Sequence, residues 1–222
     1  MNDWAVIFDV DGVLLELTRA EEELFFKPFA TRVDADALSR DWNSYRIRND
    51  AEIIKEICEV HGLAASERHM IMAEYLALLE AELAGRNLES QAIHGAAKLL
   101  HEVAPFAALG IATANFRKAA ELRLHQLDLW TAVSALAFGA DEGGHKSEIL
   151  ARAIAASGLP PSRIIYIGDN INDVAAGLTN HVWFIGFSIH TDRLRDLAQH
   201  GAIHLAQEHN ETLALIKSFL VC

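Results

Sequence analysis

Cysteine and proline are scarce in this chain, with two of the former and four of the latter. No stretch approaches the roughly 20 apolar residues that span a bilayer. Cys58 and Cys222 have neither a C-x-x-C spacing nor the density of a stapled secreted domain, so a reducing compartment is expected, with a single disulfide as the open alternative. The N-terminus has no basic stretch followed by a signal-type apolar run. Together these shortages predict a soluble cytoplasmic protein. Positive charge is short as well: 19 Lys and Arg stand against 31 Asp and Glu, a formal net charge of −12. Broad attraction to DNA, RNA or an anionic membrane is disfavoured, and no such partner is expected. Internal repeats and low-complexity tracts are missing too.

The 222 residues that are there are 51% hydrophobic and 23% charged, which suits a globular core with a modest insertion. Trp4 to Phe8 is a short apolar run followed at once by Asp9-Val10-Asp11-Gly12, a buried strand ending in acids where Gly12 permits a sharp turn. Similar runs occupy Ala108 to Ala112, Val133 to Phe138, Ile164 to Ile167 and Val182 to Phe187. Helix-like stretches at Ala96 to Val103, Lys118 to Leu127 and Ser147 to Ala156 alternate with them, predicting an α/β fold with a doubly wound, Rossmann-like parallel sheet. From about Glu16 to Gln91 the pattern changes. Ile53, Ile54, Ile57 and Val60, then Met70, Leu76, Leu79 and Leu83, fall at helical spacing, and no convincing strand is expected. The division is therefore a core of residues 1–15 and 92–222 with an all-helical cap of 16–91 inserted over the carboxyl edge of the sheet, where ligands of open α/β sheets bind.

Asp9 and Asp11 are two apart at a strand end, so extended geometry sends both carboxylates to one side and Val10 to the other. Both ionise at neutral pH unless perturbed, and their repulsion calls for a proton or a hard, oxygen-seeking cation such as Mg²⁺. A second acidic pair follows another apolar strand: Asp169 at its end and Asp173 one helical turn later. Thr113 and Asn115 in IATAN, and Lys146 opening KSEIL, suit phosphate oxygens, the first two by hydrogen bonding and the lysine as a compact cation. Phosphoryl transfer depends mostly on such placement.

The ordered set Asp9-x-Asp11-Gly12-Val13-Leu14, Thr113, Lys146 and Gly168-Asp169-x-x-x-Asp173 closely resembles the four motifs of the haloacid dehalogenase-like hydrolase superfamily over almost the whole chain. The helical insert looks like the small cap of phosphoglycolate phosphatase-like members, to which Arg48-Asn49-Asp50, Ile53, the Gly62-Leu63 turn and Phe138-Gly139-Ala140-Asp141 are also similar. The resemblance implies that Asp9 is a nucleophile forming an aspartyl-phosphate and that Asp11 is the acid protonating the leaving alcohol and later helping to activate water. It also implies a Mg²⁺ held by the Asp9 carboxylate, the Asp11 backbone carbonyl and Asp169, with Asp173 supporting the metal's outer shell or Lys146. Thr113 and Lys146 would hold the phosphoryl group. Two departures bear on specificity: Asn115 after Thr113, and Leu15-Glu16-Leu17-Thr18 where many relatives carry an Asp-Ser pair.

Blander readings stand beside these. Asp169 or Asn170 suits a helix N-cap, Thr113 a strand-end cap, and Lys146 an exposed first-turn charge. Lys98 and Lys118 sit inside amphipathic stretches and are less suited to the site. Arg48 and Arg46 in the cap would touch the non-phosphate part of a substrate or simply face solvent. His200 and His204 are four apart, but Gly201 and the strand-like AIHL argue against one helical face carrying both. His145 beside Lys146 could approach the site, and Cys58 suits packing inside a cap helix. The expected activity is a Mg²⁺-dependent phosphatase acting on a small phosphorylated metabolite. A sugar phosphomutase and a non-catalytic phospho-ligand module are the alternatives, the second opposed by the intact Asp9 and Asp11. A dehalogenase needs no Mg²⁺ and would leave Asp11 and Asp169 little purpose. Monomer and homodimer both stay open.

Overall fold

Residues 3–221 are described by a computed structural model; Cys222 lies outside them. The elements run β1 (Ala5–Phe8), β2 (Leu15–Glu16), α1 (Arg19–Phe26), α2 (Asp50–Val60), α3 (Ala65–Ala84), β3 (Gln91–Ala92), α4 (Ala96–Val103), β4 (Ala108–Ala112), α5 (Arg117–Gln126), α6 (Trp130–Val133), β5 (Leu136–Phe138), α7 (Lys146–Ser157), β6 (Ile164–Gly168), α8 (Ile171–Thr179), β7 (Trp183–Phe187), α9 (Thr191–Gln199), β8 (His204–Ala206) and α10 (His209–Leu220). Every side chain of β1 and β6 is buried, as helices on both faces of a parallel sheet require. The sheet order is β5-β4-β1-β6-β7-β8 and each neighbouring pair is parallel. The chain builds outward from β1 through β4 to β5, then crosses to β6 on the other side. That reversal opens a crevice at the carboxyl ends of the central strands.

Alternate residues of β1 divide the core. Val6 and Phe8 pack with α4 and α10 on one face of the sheet, whereas Ala5 and Ile7 pack with Ile149, Leu150 and Val174 of α7 and α8 on the other. A separate apolar cluster belongs to the helical segment: Phe25, Phe26, Ile53, Ile57, Cys58, Tyr75 and Leu79 pack together and meet the core through Ala119 of α5 and Phe116 just before it. Cys58 is buried and free there.

Two expectations need correction. The run from Val133 is strand only from Leu136, because residues 130–133 close a short helix, α6, against the core. Residues 16 and 91 do join strands: β2 pairs antiparallel with β3, Leu15 opposite Ala92 and Glu16 opposite Gln91. Two-residue strands are too short to show alternation. In the helical segment, Val60 and Met70 are exposed, and the buried stripe of α3 runs through Ile71, Tyr75, Leu79 and Leu83 at steps of four. His200 caps the end of α9 and His204 opens β8, so they share no helical face. Among the described residues no helix is long and apolar enough to cross a membrane.

Candidate active site

Three adjacent strands deliver the polar residues to one edge. Asp9 follows β1, and its N–H donates to the Ile167 carbonyl at 2.8 Å, prolonging the β1–β6 ladder by one rung. Thr113 follows β4, donating its N–H to Phe138 at 3.0 Å, and Asp169 follows β6. Val10 turns into the core, as its place between two acids requires. The chain then turns sharply at Gly12, whose φ is +74° and where a Cβ would collide with the Asp169 carboxylate. Glycine meets both demands at once.

Lys146, the first residue of α7, binds two acids: its Nζ lies 2.8 Å from Asp9 Oδ1 and 3.0 Å from Asp173 Oδ1. Asp9 Oδ1 also accepts the Val10 N–H at 2.7 Å. Asp173 is fully engaged, with Oδ1 accepting the Tyr166 hydroxyl at 2.6 Å and Oδ2 the Asn170 N–H at 3.0 Å. Asn170 is the N-cap of α8, its side chain accepting the Asn172 N–H, so the capping role falls to it and leaves Asp169 to face the cleft. Asp169 pairs with the Arg193 guanidinium of α9.

Burial, partly countered by Lys146 and reinforced by Asp173 and Asp169, pushes the Asp9 carboxyl up to about 8. Burial and the charge of Asp173 push Asp169 up to about 7 against the pull of Arg193 and Lys146. Burial pulls Lys146 down, but the charges of Asp173 and Asp9 more than offset it and hold the ammonium above its ordinary range. Crowded carboxylates therefore lack positive charge. Ligand oxygens of Asp9, Asp169 and Asp173 all lie within 4.8 Å of one another, each from a buried residue. A buried, all-oxygen, anionic donor set fits a hard divalent cation such as Mg²⁺.

Asp11 takes a different direction. Its Oδ1 accepts a 2.6 Å bond from Arg123 Nη2, and Arg123 Nη1 occupies Asn115 Oδ1 at 3.1 Å. The Asp11 carboxylate is thus absent from the acidic trio, and the Asn115 oxygen is turned onto Arg123. Thr113 is buried, with its hydroxyl accepting the Asn115 N–H at 3.2 Å. Arg48, 3.5 Å from Asn43 Oδ1, lies across the cavity on the helical segment. Arg46 is spent on Glu56 and Glu59. Lys118 pairs with Glu121, Lys98 reaches Asn210, and His145 caps α7. The cavity measures 580 Å³ and joins Asp9, Thr113, Lys146 and Asp169 to Phe25, Trp42, Arg48, Asp50 and Tyr75 of the helical segment.

Sequence reading missed Arg123, Glu21, Tyr166 and Arg193. Two signals were present. Arg123 falls three and four residues after Ala120 and Ala119, on the buried stripe of α5, and Thr18-x-x-Glu21 is a capping box, both halves of which form.

A haloacid dehalogenase-like hydrolase family model matches residues 5–179. The chain belongs to that family and is a hydrolase by descent. A search of the curated proteins finds no match. Among solved structures the fold is similar to CbbY from Rhodobacter sphaeroides in complex with phosphate, at TM-score 0.73 and 20% identity over 94% of this chain and 95% of that one. It is also similar to a Lactobacillus plantarum protein assigned as a phosphoglycolate phosphatase, at 0.65 and 19% over 97% and 100%. A third, a Thermotoga maritima protein assigned as a β-phosphoglucomutase, aligns at 0.64 and 21% over 97% and 99%.

Proposed function

We propose that the protein is a Mg²⁺-dependent phosphatase hydrolysing a small phosphomonoester of the cytoplasm, with residues 16–91 as a cap that encloses the leaving group. The observation supporting this reading is the confinement of Asp9, Asp169, Asp173 and Lys146 to one buried cluster at the carboxyl edge of the sheet. Asp9, Asp169 and, in an outer position, Asp173 would hold the ion together with the Asp11 carbonyl. Bound there, Mg²⁺ would offset the carboxylate charge and draw electron density from a phosphoryl oxygen.

Asp9 is the nucleophile in this reading. One of its oxygens attacks phosphorus, the bond to the leaving oxygen breaks, and Asp11 supplies that oxygen with a proton. Water then attacks phosphorus and gives a proton to Asp11, the phosphorus–oxygen bond to Asp9 breaks and inorganic phosphate leaves, which restores both residues. Thr113 and Lys146 hold the phosphoryl oxygens, and Lys146 keeps Asp9 aligned through its 2.8 Å contact. The cap placed over the cleft would limit the access of competing water.

Hydrolysis is preferred to mutase chemistry on charge. Moving a phosphoryl group between hydroxyls of one sugar passes through a doubly phosphorylated sugar, and its second phosphate needs its own cations. Of the described Lys and Arg residues around the cavity, Lys146, Arg123 and Arg193 are already paired with carboxylates, which leaves Arg48 among Glu16, Glu22 and Asp50. The test is release of inorganic phosphate from a panel of phosphomonoesters with and without Mg²⁺. Asp9→Asn is expected to lower release at least ~10³-fold, since the covalent route is lost. Undiminished release in that variant defeats the nucleophile assignment; isomerised sugar phosphate with little free phosphate favours the mutase.

A further inference from the structure

Arg123 has no role in the chemistry above, yet among the described residues it heads the largest fully buried side chains. It lies in α5, beyond the loop carrying Thr113, and is 2% exposed. Its fork bridges the two parts of the molecule. Nη2 donates to Asp11 Oδ1 at 2.6 Å and to the Glu16 carbonyl at 3.4 Å, Nε donates to Glu21 Oε1 at 2.7 Å, and Nη1 donates to Asn115 Oδ1 at 3.1 Å. Glu21, on α1 of the helical segment, is 3% exposed and anchored at its other oxygen by the Thr18 N–H at 2.7 Å and the Thr18 hydroxyl at 2.8 Å.

Packing alone does not explain this arrangement. Taking an arginine and a glutamate out of water costs several kcal/mol per ion, and apolar side chains of similar volume commonly stabilise a core as well or better. Such a network is informative for what it orients. Arg123 engages one oxygen of Asp11, and the acid keeps 22% of its side-chain surface exposed where it borders the cavity. Lysine could supply the charge, but its single ammonium does not reproduce the separate Nη2 and Nε donations by which the planar fork holds Asp11 and Glu21 at fixed directions.

The geometry points to Arg123 as the positioning residue that aims the Asp11 carboxyl at the leaving oxygen, with Glu21 fixing the guanidinium from the cap side. This inference rests on the proposed roles of Asp9 and Asp11. In the first half-reaction Asp9 gains a bond to phosphorus, the phosphorus–oxygen bond to the alcohol breaks, and the electron pair left on that oxygen takes the Asp11 proton. Arg123 is 2% exposed and turns each of its guanidinium nitrogens onto a protein oxygen, so its contribution is to be felt through Asp11.

Leaving groups of different basicity isolate that contribution. Phenolate needs the proton as its bond breaks, whereas 4-nitrophenolate is stable as an anion and needs it far less. First-turnover release of phenol and of 4-nitrophenol from the two aryl phosphates is measured for the parent, Arg123→Lys, Glu21→Gln, Asp11→Asn and the Asp11→Asn/Arg123→Lys pair, all with Mg²⁺. For Arg123→Lys, release from phenyl phosphate is expected to fall about 100-fold, the lower range of general-acid contributions, and release from 4-nitrophenyl phosphate less than about 5-fold. Glu21→Gln should show the same selectivity in weaker form, and Arg123→Lys should add nothing in the Asp11→Asn background. An equal fall for both esters, an unchanged Arg123→Lys, or additive losses in the double variant overturns the inference and leaves the proposed reaction standing. Full release by Asp9→Asn, or a parent that releases neither phenol, sinks the underlying reaction and this inference with it.

Discussion

In the proposed site, Asp169 is the residue on which affinity for a cation is expected to turn. Asp173 has both oxygens committed to Lys146, Tyr166 and the Asn170 N–H, and Asp9 shares Oδ1 with Lys146 and the Val10 N–H. The contact of Asp169 is instead with Arg193, whose side chain is 46% exposed, so that solvent screens the pair. A ligand that binds only the folded state raises its melting temperature in proportion to the logarithm of ligand concentration over Kd. Millimolar Mg²⁺ is therefore expected to raise the Tm of the parent, while Asp169→Asn shows a much smaller rise. The substitution removes one negative charge from a like-charged cluster, so the variant without Mg²⁺ should be at least as stable as the parent. Calorimetry of both proteins with and without the ion checks this, and an equal rise in the variant would remove Asp169 from the ion's ligands.

Helix α2 carries the clearest pH signature. Asp50, its first residue, is buried and accepts the Phe116 N–H at 2.8 Å, while its own N–H donates to the Ala114 carbonyl at 3.0 Å. Burial outweighs that hydrogen bond and pushes the carboxyl up from 3.8 to about 7. Between those values the folded chain keeps a proton that the unfolded chain has lost, so the contribution of Asp50 to stability falls as pH rises and is at its worst above about 7. An asparagine side chain at this position keeps an oxygen for the Phe116 N–H but carries no charge. Asp50→Asn should thus gain stability relative to the parent as pH goes from about 5 to 8, at ~1.4 kcal/mol for each unit of the shift traversed. Urea unfolding at the two pH values checks the sign, and a constant difference would mean that Asp50 is ionised throughout. How far such elements could be read from sequence followed their length. The apolar runs of β1, β4, β6 and β7 and the stripes of α4, α5 and α7 are long enough to carry a period. The ribbon of β2 and β3 is not, and the buried face of α3 is set by packing against Phe25 and Phe116, which no local pattern contains. The same holds at the site: Asp9, Asp11, Thr113, Lys146, Asp169 and Asp173 follow strands or open helices in recognisable motifs, whereas Arg123 meets Asp11 across 112 residues of chain.

At the scale of the whole molecule, the helical segment is joined to the core by polar contacts as well as by its apolar cluster, and those contacts land on the two loops that carry Thr113 and Lys146. Asp50 grips the first loop. Asn49 Nδ2 donates to the Gly144 carbonyl at 2.6 Å, and Glu52 Oε1 accepts the Gly144 N–H at 3.2 Å, so the start of α2 clasps both backbone groups of one glycine two residues before Lys146. Gly144 has φ +87° and Gly143 has φ +67°, a backbone path that side chains oppose and that sets the chain's approach to α7. Loosening the clasp should open the cavity without touching the acids. Asn49→Ser retains a side chain able to cap α2 but too short to reach Gly144, and Glu52→Ala removes the second contact. Two hydrogen bonds at about 1 kcal/mol each imply roughly a 30-fold weaker closed state. The double variant is therefore expected to raise KM by about that factor for a phosphomonoester with a sizeable alcohol, to change kcat less, and to exchange the Gly144 and Phe116 amide hydrogens faster in D₂O. An unchanged KM with parent-like exchange would show that the apolar cluster around Phe116 holds the helical segment in place by itself.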